Sequence, residues 1–148
     1  MTDKQYSKAL AKVVNYLTSR GYTVKLDSNT FGYYEDEDLI TAPTKSQGTL
    51  PYLCSILHEA GHTIQDRSSF NSLRRTTKRD QAIIIEQEYT AWYHGLDIAR
   101  ELNIYTKELD REYRRQWLLY WSQYVKTVYT QYDSKEIREC AEPYIERT

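Results

Sequence analysis

His58-Glu59-Ala60-Gly61-His62 is the stretch that most narrows what this chain can be. Residues four apart on a helix share a face, so an H-E-x-x-H segment within a helix aims both imidazoles the same way. That geometry suits two ligands of one Zn²⁺, with Glu59 one position round the helix beside the metal's water. The chain has only three histidines, and two of them are here. Leu53, Leu57, Ala60, Gly61 and Ile64 recur around the motif at core-packing intervals, so its helix is expected to bury a face. The chemistry this stretch points to is metal-dependent hydrolysis.

With 148 residues, the length is that of one domain spanning 1–148. Mean hydropathy is low at −0.78, but 15 tyrosines and 3 tryptophans carry apolar bulk that hydropathy scales undercount. A compact core is therefore within reach. The net charge of −1 argues against broad nucleic-acid binding. No apolar run is long enough to span a bilayer, and the start, Met1 to Tyr6, is polar and unlike a signal peptide. Cys54 and Cys140 are too few for a disulfide framework. The expectation is an intracellular, cytoplasmic protein with reduced thiols and no membrane partner.

Periodicity organises the rest. Tyr6, Leu10, Val13, Val14 and Leu17 give a helix over residues 4–19, stopped by Gly21. Short extended segments follow at 22–26, 31–34 and 39–42, with turns at Asp27-Ser28-Asn29 and at Glu35-Asp36-Glu37-Asp38. They read as a small antiparallel sheet of two or three strands. Thr49 caps the motif helix, with Pro51 in its first turn, and that helix runs to about Gln65. Residues 66–80 are polar and basic and read as a loop. A long helix follows from about Asp80 to Asn103. Thr106 caps another, whose apolar face is Tyr113, Trp117, Tyr120, Trp121, Tyr124, Val128 and Tyr132. Asp133 and Glu136 have capping-box spacing for a last short helix, interrupted near Pro143.

Two histidines do not complete a catalytic zinc site, which uses three protein ligands and one open position. His94, Glu86 and Glu88 are the candidates for the third. Glu88 shares a face with Ile84, Ala91, Gly95 and Ile98, so it is an acid among apolar and small residues. Burying a carboxylate there is unfavourable unless a cation pairs with it. Glu86 lies about 200° round the helix, on the more polar side near Thr90, Tyr93 and Asp97. Ala91 and Gly95 leave room for close helix approach. Helical geometry thus favours Glu88, with Glu86 as the fallback. His94 points away from Glu88 and reads as a surface or packing residue.

Leu57-His58-Glu59-Ala60-Gly61-His62, followed 26 residues after the second histidine by Glu88-Tyr89-Thr90-Ala91-Trp92, resembles the gluzincin arrangement. It is most similar to the small ImmA/IrrE-type and minigluzincin metallopeptidases of bacteria and phages. The resemblance covers roughly residues 50–100. It implies His58, His62 and Glu88 as zinc ligands and Glu59 as catalytic base. It also implies a helix–sheet–helix core whose sheet edge lines a substrate groove. One position departs from the larger gluzincins: residue 92 is Trp where they place an Asp partner.

Other features have plainer readings. Cys54, four residues before His58, could add a ligand but reads as a small buried residue. The Tyr/Trp face reads as core rather than a peptide cleft. Arg67, Arg74, Arg75, Lys78 and Arg79 read as a solvated loop, although they could steer an acidic partner or a phosphate. Glu35 to Asp38 is a charged turn that would favour basic peptides if it bordered a groove.

The expectation is therefore a mainly helical α+β, zincin-like domain with a small sheet. Its expected activity is zinc-dependent hydrolysis of a peptide bond in a protein substrate, a regulatory protein being one candidate, with Glu59 as general base. The rival is a catalytically silent protein of the same fold that binds a protein or nucleic-acid partner.

Overall fold

The computed structural model describes residues 2–65 and 78–131, with side chains at 2–65, 87–120, 122 and 123. Helix α1 (Asp3–Ser19) starts in a capping box: Thr2 Oγ1 accepts from the Gln5 N–H, and Gln5 Oε1 accepts from the Thr2 N–H. It ends before Gly21, whose φ of +93° lies where glycine is favoured. Three strands follow, β1 (Thr23–Ser28), β2 (Gly32–Tyr34) and β3 (Leu39–Pro43). The remaining elements are helices α2 (Leu50–His62), α3 (Lys78–Glu101) and α4 (Lys107–Gln131). The protein is thus α+β and mainly helical.

The sheet is mixed rather than antiparallel. Its order is β1-β3-β2; β1 runs parallel to β3, with Thr23 beside Leu39 and Val24 beside Ile40. β2 runs antiparallel to β3, with Tyr33 beside Ile40. Burial explains the order. Ile40, Thr41 and Ala42 are buried in succession, which suits a central strand, whereas β1 alternates exposed and half-buried residues as an edge does. The Glu35–Glu37 turn, closed by Asp38 in the left-handed region at φ 47°, folds β2 back onto β3. Residues 29–31 carry the chain from one side of β3 to the other.

α2 is the central helix. Thr49 Oγ1 accepts from the Tyr52 N–H at its start, with Pro51 in the first turn. It ends at His62, sooner than its periodicity suggests, so Ile64 leaves the core stripe and is 40% exposed. Thr106 Oγ1 caps α4 through the Leu109 N–H at 3.0 Å. The core runs from Tyr6, Val13 and Leu17 through Ile40 and Leu53 to Ile98, Leu109, Tyr113 and Trp117. Among the described residues no helix is long and apolar enough to cross a membrane.

Several sequence expectations lie outside the described residues. They are the short helix capped by Asp133, the basic residues Arg67, Arg74 and Arg75, and the side chains of Lys78, Arg79, Glu86, Trp121, Tyr124, Val128 and Tyr132.

Candidate metal centre

The site begins with two glycines. A Cβ at Gly61 would overlap the carbonyl oxygen of Ala91. One at Gly95 would lie 2.6 Å from the Leu57 carbonyl oxygen and would overlap the Tyr113 hydroxyl. The backbones of α2 and α3 therefore meet with no side chain between them, as small residues at a helix crossing allow. This contact carries Glu88, one turn before Ala91, up to the two histidines of α2.

Glu88 Oε2 lies 3.3 Å from His58 Nε2 and 3.5 Å from His62 Nε2. All three donor atoms lie within 4.8 Å of one another, and both histidines are buried. Two atoms bound to one zinc at tetrahedral angles are about 3.3 Å apart. Two edges of the cluster are therefore already near that spacing. Two imidazoles and a carboxylate are a donor set that zinc takes in hydrolytic sites.

Electrostatics point the same way. Burial pushes the Glu88 carboxyl up, but hydrogen bonds and charge from His58 and His62 outweigh it and hold Glu88 well below the usual carboxylate range. Burial likewise pulls His62 down. The hydrogen bond and charge of Glu88, with Glu59 and Gln65 adding to them, lift it instead to about 9. The buried cluster thus draws positive charge into its centre. A divalent cation would satisfy the same three atoms in place of protons.

Neighbouring rings hold the imidazoles. His58 stacks on Trp92, with ring centroids 4.0 Å apart and planes 8° from parallel. Trp92, at the position where the larger gluzincins have an Asp, therefore supports His58 by stacking. Trp92 is itself fixed by Tyr113, whose ring meets it edge-on and whose hydroxyl donates to the Trp92 carbonyl. His62 lies parallel to Tyr33 of β2, 5.7 Å between centroids. Its Nδ1 is 3.0 Å from Gln65 Oε1, and Gln65 Nε2 donates to the Gln87 carbonyl and to Thr90 Oγ1 on α3.

Glu59 is half-buried, its Oε1 3.8 Å from His58 Nδ1, too far for a hydrogen bond. With His58 it faces a cleft of about 300 Å³ walled by Phe31, Trp92, Leu119 and Tyr120. Cys54 turns the other way. Its Sγ points to the Leu109 carbonyl at 3.9 Å, and burial, with Glu112 adding to it, pushes the thiol up to about 12. His94 is half-buried beside Tyr93 and takes no part in the cluster. The side chain of Glu86, the fallback ligand, is outside the described residues.

Two contributors escape a reading of the sequence, Gln65 and Tyr33. Gln65 does carry a signal, since it follows His62 by three residues and three is a same-face spacing. Tyr33 carries none, because its place beside His62 depends on how the sheet packs. Set against protein-family models, curated proteins and solved structures, the chain matches none of them.

Proposed function

We propose that this protein is a zinc-dependent metallopeptidase of gluzincin type, with His58, His62 and Glu88 as zinc ligands and Glu59 as general base. The observation that carries this reading is the approach of Glu88 Oε2 to both histidine Nε2 atoms, at 3.3 and 3.5 Å. Its substrate is a peptide bond in a protein; the resemblance makes a regulatory protein a candidate.

Zinc supplies Lewis acidity, bringing a water's pKa toward about 7 and polarising the scissile carbonyl. The protein's own residues do the rest. Glu88, His58 and His62 provide the buried anionic and imidazole donors. Glu59 borders the cleft, so its carboxylate can take a proton from the attacking water. The water oxygen bonds to the carbonyl carbon, the carbon–nitrogen bond breaks, and Glu59 returns the proton to the leaving amine.

The test is metal content by mass spectrometry on tag-free protein, for wild type and the His62→Ala, Glu88→Ala and Glu86→Ala variants. The expected result is about one zinc per chain, lost in the first two variants and retained in the third. Digestion of a mixed peptide library then scores cleavage. A chain that takes up no metal after reconstitution overturns the proposal. A metal-loaded chain that cleaves nothing, with Glu59→Gln indistinguishable from wild type, would leave a zinc-holding binding protein instead.

A further inference from the structure

We propose that Gln65 is a positioning residue that fixes the tautomer and orientation of His62, and so presets the metal-facing nitrogen. This deepens the reading above and rests on it for the identity of the metal.

A backbone carbonyl can only accept a hydrogen bond, so the Gln65 group facing the Gln87 carbonyl must be its NH₂. The amide oxygen of Gln65 then faces His62 Nδ1, 3.0 Å away. That oxygen can only accept, so Nδ1 carries the hydrogen. A neutral imidazole protonated at Nδ1 presents its lone pair at Nε2. Nε2 is the atom that faces Glu88 Oε2 at 3.5 Å. With Nδ1 holding its hydrogen on Gln65, Nε2 is the nitrogen left to meet Glu88, through a proton or through a metal ion in that proton's place. The identity of the acceptor on one edge of the ring therefore settles what the opposite edge can bind.

The arrangement also spans two helices. Gln65 lies just past the end of α2, while its NH₂ is held by Gln87 and Thr90 on α3, the helix that carries Glu88. Thr90 Oγ1 in turn donates to the Gln87 carbonyl at 3.0 Å. The orientation of His62 is thus referred to the same backbone that positions Glu88. Metal-binding histidines commonly donate their second N–H to an oxygen, and loss of such a partner weakens metal binding about 10–100-fold. Here an amide fills that role.

The experiment compares zinc affinity of the full chain, by competition with a chromogenic chelator, for wild type, Gln65→Met and Gln65→Glu. Both variants lose the NH₂ that reaches α3, but only Gln65→Glu keeps an oxygen for His62. The expected result is zinc binding about 10–100-fold weaker in Gln65→Met, restored to wild-type strength or better in Gln65→Glu. Equal weakening in both variants would assign Gln65 to bracing the helices and overturn the proposal. So would a Gln65→Met chain that binds as wild type does. If wild type itself binds no zinc, the metallopeptidase reading falls. The proposal is then decided on the metal-free chain by the ring ¹⁵N shifts of His62, read in solution alkaline enough for the ring to be neutral. The same spectrum decides if Gln65→Met does not fold. A wild-type ring protonated at Nδ1 supports the proposal, and one protonated at Nε2 overturns it.

Discussion

The two flanks of α2 are built on different principles. Against α3, contact is backbone to backbone, Gly61 on the Ala91 carbonyl and Gly95 on the Leu57 carbonyl. Against α4, contact runs through side chains. Ser55 Oγ donates to Gln116 Oε1 at 3.2 Å, Gln116 Nε2 donates to the Pro51 carbonyl at 3.1 Å, and Cys54 Sγ reaches the Leu109 carbonyl. The first flank has no slack, and it holds the histidines and Glu88. The second leaves a cleft beside Glu59. Metal geometry tolerates little displacement, whereas a substrate needs an entrance. The difference shows how one helix can meet both demands with opposite faces.

The sharpest way to separate the flanks is Glu59→Gln. Glu59 faces the cleft, so the variant should keep its zinc while turnover of a cleaved peptide falls about 10²–10⁴-fold, the usual contribution of a general base. Loss of zinc along with activity would place Glu59 with the metal-holding flank and break the distinction.

Next come the glycines. Gly61→Ala and Gly95→Ala each force a methyl group into backbone, and overpacking of this kind costs about 1–3 kcal/mol. Urea unfolding should register that loss, and zinc affinity should fall with it because Glu88 is pushed from the histidines. Ser55→Ala on the other flank removes one hydrogen bond, about 1 kcal/mol or less, and should leave zinc affinity unchanged. Equal effects of Gly95→Ala and Ser55→Ala on zinc would mean that close approach to α3 is not what holds the cluster.

The smallest effect is expected at Cys54. Its thiol is pushed up to about 12 by burial, so it stays protonated and unreactive in mildly alkaline solution while the protein is folded. In a Cys140→Ser background, alkylation should therefore follow unfolding in urea. Rapid labelling of the native chain would show that the α4 flank opens without global unfolding.

Much of this construction is legible in the sequence where local rules govern. Thr49 and Thr106 mark helix starts because a hydroxyl answers a free N–H within three residues. The shared face of Glu88, Ala91, Gly95 and Ile98 follows from helical periodicity alone, as does the facing of His58 and His62. Strand direction does not yield to such rules. An alternation of two residues is the same in parallel and antiparallel strands, so the placing of β3 between β1 and β2 comes from the burial of Ile40 and Ala42 against the helices. The end of α2 also escapes, since its apolar spacing continues through Ile64 after the helix has stopped. Gln65 and Trp92 act through partners on other elements, the Gln87 carbonyl and the ring of Tyr113, which no local pattern reveals.

The bond from Tyr113 to the Trp92 carbonyl has a consequence in time. All three candidate ligands precede α4 in the chain, so a growing polypeptide carries them before Tyr113 has been made. Until that hydroxyl arrives, the tryptophan on which His58 stacks lacks its outer support, and the crossing at Gly95 is open on one side. Because domains assemble as units once their elements are present, the cluster would mature with the last described helix rather than with its own residues. A nascent or prematurely ended chain would thus carry the ligands without the finished centre.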